Sequence, residues 1–105
     1  MTIQSERVDR NSVVLFLSGR LDTFATSELE LALNQLVDGS TDITLDLKDL
    51  SYISSLGLHV LLQTLKVMSA SKRKFVIRNV GEAVRAVLEM TGFTSLITLE
   101  ESKTP

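Results

Sequence analysis

The chain has no cysteine and no tryptophan, and among its 105 residues there is one proline, one tyrosine and one histidine. Without thiols there is no disulfide and no thiolate nucleophile, which fits a reducing compartment. A single imidazole, His59, among dispersed carboxylates cannot form the clustered ligand sets that transition metals need, so no metal is expected. The glycines at 19, 39, 57, 81 and 92 never fall into the spacing of a phosphate-binding or dinucleotide loop, and no cofactor is expected either. Eleven basic against thirteen acidic residues give a net charge of −2, so there is no global basic field to draw in nucleic acid. The local group Lys66, Lys72, Arg73, Lys74 and Arg78 has the simple task of keeping a helix-to-strand connection in water, with contact to an acidic partner as the alternative. No stretch approaches the roughly 18 consecutive apolar residues of a membrane span, and residues 1–7 lack the apolar run of a signal peptide. A cytoplasmic protein that contacts neither membrane nor nucleic acid is the expectation.

What is present is enough for one domain, able to bury roughly two-thirds of its unfolded surface without staples. Ile3 to Val8 alternates weakly and Val13-Val14-Leu15-Phe16-Leu17 is rich in β-formers. Asp9-Arg10-Asn11-Ser12 between them carries turn chemistry, which predicts an antiparallel hairpin. Gly19-Arg20-Leu21-Asp22 breaks the second strand, and Leu29, Leu33 and Leu36 then mark a helix. Ser27 to Glu30 matches a capping box, although Asp22 or Thr23 could begin the helix earlier; Gly39 and Ser40 end it. Ile43-Thr44-Leu45-Asp46-Leu47 alternates cleanly, which predicts a strand with one polar or thinly covered face. Lys74 to Arg78 is a further strand, and Val80, Val84, Val87 and Leu88 mark a last helix. Gly92 reads as its left-handed C′ residue with Phe93 folding back on Leu88, Ser95 to Leu99 as an edge strand, and 100–105 as a frayed tail. The order is that of an α/β domain: an N-terminal β-hairpin, then β-α repeats, giving a mostly parallel sheet of four or five strands.

The most informative stretch lies between the third strand and the second helix, Tyr52-Ile53-Ser54-Ser55-Leu56-Gly57-Leu58-His59. Leu58, Leu61, Leu62 and Leu65 form a buried helical stripe that Leu56, Val60 and Val67 widen. Ser54 or Ser55 supplies the N-cap, and the same residues at a helix mouth suit a phosphate. Gly57 in the first turn implies that something, a neighbouring element or a partner, approaches the backbone closely. In parallel sheets such sites gather beyond the strand carboxyl ends, which brings Gly19 to Asp22 and Ser54-Ser55 to one surface. Ser55 and His59 are one helical turn apart, but no G-x-S-x-G elbow surrounds the serine and no third group orients the histidine. Nothing in the sequence marks an enzyme.

With Gly19-Arg20-Leu21-Asp22, Asp46-Leu47, Ser54-Ser55-Leu56-Gly57-Leu58 and Met90-Thr91-Gly92-Phe93 in place, the chain resembles the anti-sigma factor antagonists, or anti-anti-sigma factors, of the STAS domain class over its whole length, 1–105. That resemblance implies a STAS-like sheet with helices packed mainly on one face. It also implies partner switching: the unphosphorylated form binds an anti-sigma factor that is also a serine kinase, phosphorylation releases it, and a PP2C-type phosphatase resets it. The family's site pattern is D-S-S-G-L-G. Aligned on Gly57 and Leu58, Ser55 matches the phosphoacceptor, with Ser54 as the rival, and Asp22 matches a family aspartate close by. Ser54 stands in place of an aspartate, Leu56 in place of the second serine and His59 in place of the second glycine. The resemblance thus offers Asp22, Ser54, Ser55, Leu56, Gly57 and His59 as partner-contacting residues. A STAS scaffold or sensor that is never phosphorylated, and a small-ligand or nucleotide-binding domain using the same helix mouth, are the alternatives.

Overall fold

The computed structural model describes residues 1–37, 41–91 and 98–100. Its elements run β1 (Thr2–Asp9), β2 (Ser12–Leu21), α1 (Thr23–Val37), β3 (Asp42–Ile53), α2 (Ser55–Ala70), β4 (Phe75–Arg78), α3 (Glu82–Met90) and β5 (Thr98–Glu100). The described strands form one five-stranded sheet in the order β1-β2-β3-β4-β5. The hairpin pair β1-β2 is antiparallel and the remaining neighbours are parallel. Asp9 makes the hairpin turn, its carboxylate accepting from the Asn11 N–H at 2.7 Å and the Ser12 hydroxyl at 2.9 Å.

Strand alternation decides what is buried. Ile43, Leu45 and Leu47 point into a single apolar cluster that includes Leu15 and Leu17 of β2, Leu29 and Leu33 of α1, Leu61 and Met68 of α2, and Val84 and Leu88 of α3. All three helices therefore feed one core on one side of the sheet. The alternate residues carry polar chemistry across adjoining strands, with Gln4 beside Phe16, Phe16 beside Asp46 and Asp46 beside Arg78. Asp46 is only 6% exposed, and it accepts from Arg78 Nε at 3.0 Å, Asn79 Nδ2 at 2.9 Å and the Lys48 N–H at 3.0 Å.

Burial pushes the Asp46 carboxyl up, but the Lys48 N–H and the Arg78 and Asn79 side chains outweigh it and hold the group below the usual carboxylate value. A depressed native pKa contributes stability above the unfolded value near pH 3.9, and that contribution fades as pH falls through the native value. Asp46→Asn is therefore expected to lower stability by about 1 kcal/mol at pH 7, a modest figure because Arg78 is partly in water. Thermal unfolding should show Tm lower by about 4–8 °C at pH 7, with the difference from the parent protein shrinking below about pH 4.

Several boundaries differ from the sequence expectations. β2 does not stop at Gly19 but passes through it with φ +97° and continues to Leu21, the irregularity being absorbed as register shifts against β3. β3 likewise runs six residues past Leu47, ending at Ile53. α1 starts at Thr23, so the Ser27 box lies inside the helix and Asp22 is the cap. α3 closes on Thr91, whose hydroxyl donates to the Leu88 and Val87 carbonyls at 3.0 and 3.2 Å. The expected Gly92–Phe93 closure lies outside the described residues. Of the expected edge strand, Thr98 and Leu99 are in β5 and residues 95–97 lie outside the description. Glu100, expected in a frayed tail, is instead the last residue of β5, opposite Arg78 in the parallel backbone register; 101–105 are not described.

Candidate functional site

The parallel pairing of β2 with β3 brings Leu21 beside Ile53, so α1 and α2 start next to one another at one end of the sheet. The junction is tied by the Ser54 N–H, which donates to the Leu21 carbonyl at 2.9 Å. Each helix then has its own cap. Asp22 Oδ1 accepts from the Ala25 N–H at 2.9 Å, and its carbonyl accepts from the Thr26 N–H at 3.0 Å and the Thr26 hydroxyl at 2.8 Å. Ser54, with extended backbone at φ −84°, ψ 167°, accepts from the Gly57 N–H at 3.1 Å.

This arrangement separates the two adjacent serines. Ser54 is 9% exposed and its oxygen is committed to the cap. Ser55 is the first helical residue of α2 and is exposed. Its position leaves it beside backbone N–H groups that no helical carbonyl can reach, in the positive end of the α2 dipole. Among the described residues no hydrogen bond holds its hydroxyl.

Gly57 is buried, and the close approach that its presence implied is made by the fold. A Cβ at this position would lie 2.9 Å from Leu21 Cγ and Cδ2 and 3.1 Å from Ile53 Cγ1. Gly57 and Ser54 therefore lie inward as parts of the junction, whereas Ser55, Leu56 and His59 face water and Asp22 is half-buried. Gly57→Ala gains helix propensity worth about 1 kcal/mol but forces a methyl group against the fully buried Leu21, at a cost of about 1–3 kcal/mol. The expected net result is a Tm drop of a few degrees, read by thermal unfolding.

Phe24, Arg20 and Tyr52, outside the sequence-based set, lie at the same end of the sheet as Leu56 of that set. Phe24, in the first turn of α1, is 89% exposed, and Leu56, in the first turn of α2, is 49% exposed. The apolar stripe expected to run through Leu56 and Val67 leaves both on its water-facing edges. Arg20 lies 4.2 Å from the centre of the Tyr52 ring, a cation–π pair at the ends of β2 and β3. Phe24 had one signal in the sequence: Ala25, Leu29 and Leu33 set the buried face of α1 at four-residue spacing, and an aromatic residue at 24 falls off it. An exposed phenylalanine and an exposed leucine thus stand in the first turns of two helices that start next to one another, at the end of the sheet that carries Ser55.

His59 follows Ser55 by one turn, and its Nε2 is 3.3 Å from Gln63 Nε2. It sits on a groove of about 350 Å³ between α1 and α2, together with Glu30, Asn34, Gln63 and Thr64 over Leu33, Val60 and Val67. Among the described residues no three His, Cys, Asp or Glu side chains gather as metal ligands would, and no helix is long and apolar enough to cross a membrane.

The family model for the STAS domain matches residues 2–104, and the chain belongs to that family. A curated relative, the anti-sigma-B factor antagonist of Staphylococcus aureus strain NCTC 8325 / PS 47, is 31% identical over 86 residues, spanning 81% of this chain and 80% of the relative. Among solved structures, the anti-sigma factor antagonist SpoIIAA in its unphosphorylated form superposes with a TM-score of 0.85 at 23% identity, covering 97% of this chain and 89% of SpoIIAA. The phosphorylated form of SpoIIAA, a Bacillus cell-fate determinant, superposes at 0.79 with 22% identity, covering 97% and 92%. The fold is thus that of the STAS domain, and the sequence relatives are anti-sigma factor antagonists.

Proposed function

We propose that this protein is an anti-sigma factor antagonist that works by partner switching through Ser55. In its unphosphorylated state the Phe24–Leu56 patch docks on an anti-sigma factor that is also a serine kinase. That docking presents the Ser55 hydroxyl to the kinase. The γ-phosphoryl group of ATP passes to Ser55 Oγ, the bond to the ADP oxygen breaks, and the hydroxyl proton leaves to a base of the kinase. The product carries about two negative charges in the middle of the patch, and the complex separates. A PP2C-type phosphatase returns the hydroxyl by hydrolysis and resets the cycle.

The observation that carries this reading is the division of labour between Ser54 and Ser55. One serine is spent on the cap and buried, which leaves its neighbour exposed, unbonded and fixed at the start of a well-packed helix. The phosphate cannot act by unfolding the domain. At a helix N-terminus it is worth about 0.3–2 kcal/mol of stabilisation. A full switch from 1:99 to 99:1 takes about 5.5 kcal/mol of differential affinity, so the effect has to arise at the partner interface. Desolvating a dianion against an apolar surface supplies energy of that order.

The test is incubation with ATP and a lysate of the source cells, followed by intact mass and peptide mapping. One phosphate on Ser55, absent in Ser55→Ala, is the expected result. Phosphate on Ser54, or none, overturns the assignment.

A further inference from the structure

We propose that His59 is the intramolecular counter-charge of a phosphate on Ser55, offsetting part of the charge that the switched-off form shows to its partner. The proposal rests on the Ser55 reading above and adds a residue the phosphoacceptor does not itself require. Ser55 and His59 are exposed and stand at i and i+4 on α2, neighbours on one helix face. Helical side chains tilt back toward the N-terminus, and for His59 that is the direction of the turn that holds Ser55. An anion placed four residues before a cation is the favourable order on a helix.

His59 Nε2 lies 3.3 Å from Gln63 Nε2, and among the described residues no hydrogen bond holds Nδ1. The surrounding charges are few. Glu30 of α1 lines the groove with His59, and Asp22 at the head of α1 is engaged by its cap. Arg20 at the end of β2 is stacked on Tyr52, and Lys66 lies two turns further along α2. A new dianion one turn away therefore becomes the largest charge acting on the ring. An imidazolium at this position offsets one of the two phosphate charges. His59 is a positioning and charge-balancing residue, not a catalytic one.

The test uses the full chain with phosphoserine installed at position 55 during translation, so it needs no kinase. The phosphorus-31 resonance of this single phosphate is followed from pH 4.5 to 8. The second ionisation of phosphoserine falls near pH 6. A unit positive charge about 6 Å away lowers that midpoint by about 0.4 pH unit. The phosphoprotein with His59 intact should therefore titrate about 0.4 unit below its His59→Gln variant, and His59→Lys should restore the lower midpoint. Glu30, Asp22, Arg20 and Lys66 are common to all three proteins and cancel in the difference. Equal midpoints in the parent and His59→Gln proteins overturn the pairing, as does a failure of His59→Lys to restore it. Neither result touches the assignment of Ser55 as acceptor, which peptide mapping decides separately.

Discussion

Ser55→Asp is expected to weaken binding to the anti-sigma factor at least 100-fold while Tm changes by no more than about 2 °C. Ser55→Ala should bind as tightly as the unmodified protein and should no longer respond to ATP. The contrast follows from position. An aspartate at the first turn of α2 is welcome to the helix, because negative charge there is stabilising by a few tenths of a kcal/mol to about 1. It is unwelcome to a partner that must cover it. A 100-fold loss is about 2.7 kcal/mol, roughly half the span of a complete switch. That fits a single charge standing in for a phosphate that carries nearly two. Calorimetry with the purified partner, alongside thermal unfolding of each variant, reads both quantities. Tight binding by both variants would show that charge at this site is not what the partner senses.

The second large effect should come from the apolar residues beside that serine. Phe24 leaves most of its ring in water in the free protein, so its truncation costs the fold almost nothing. Covering it is worth more. An aromatic anchor buried at the centre of an interface is typically worth 2 kcal/mol or more on truncation. Phe24→Ala is expected to weaken partner binding about 30-fold, and Leu56→Ser about 10-fold, each with Tm within about 2 °C of the parent. The affinity loss should exceed anything seen for Val8→Ser, which removes an exposed apolar side chain on the first strand, away from the helix mouths. Equal losses for Val8→Ser and Phe24→Ala would place the docking surface elsewhere. Loss of Tm in the Phe24 variant would mean that the ring supports the fold.

Much of this arrangement was legible from side-chain periodicity. The hairpin, the alternating helices and strands, and the single polar face of β3 follow from where Val, Ile and Leu recur. The strand ends were not legible, for a physical reason. Gly19 looks like a breaker, but with φ +97° it carries an irregularity inside a continuing strand, and the register shifts beside it end the simple alternation after Leu47. The capping pattern at Ser27 is real as a sequence pattern, yet Asp22 captures the helix start first because its carboxylate reaches the Ala25 N–H. Seven apolar positions on α2 define an arc wider than the core can cover. Sequence alone does not say which edge meets water, and the fold leaves out Leu56 and Val67.

The site divides in the same way. That a serine caps α2 and that something presses on Gly57 could be read from residue chemistry. Which serine does the capping, and that Leu21 and Ile53 are what press, needed the strand pairing that aligns Leu21 with Ile53. Phe24 is not legible as a site residue because it lies 32 residues before Leu56, and only the parallel pairing of β2 with β3 sets the two helix starts side by side. The sequence set His59 one turn from Ser55 without the elbow of a hydrolase, and a surface or partly buried histidine was the simpler reading. In the fold its ring lies 3.3 Å from Gln63 on the rim of an interhelical groove.

The most direct test is calorimetric titration of the partner captured with Ser55→Ala, using two preparations of the same chain: one unmodified and one with phosphoserine at 55. The account predicts that the phosphorylated chain binds at least 1,000-fold more weakly although both unfold at the same temperature within about 2 °C. Equal affinities, or a phosphorylated chain that binds poorly only because it has unfolded, would contradict it.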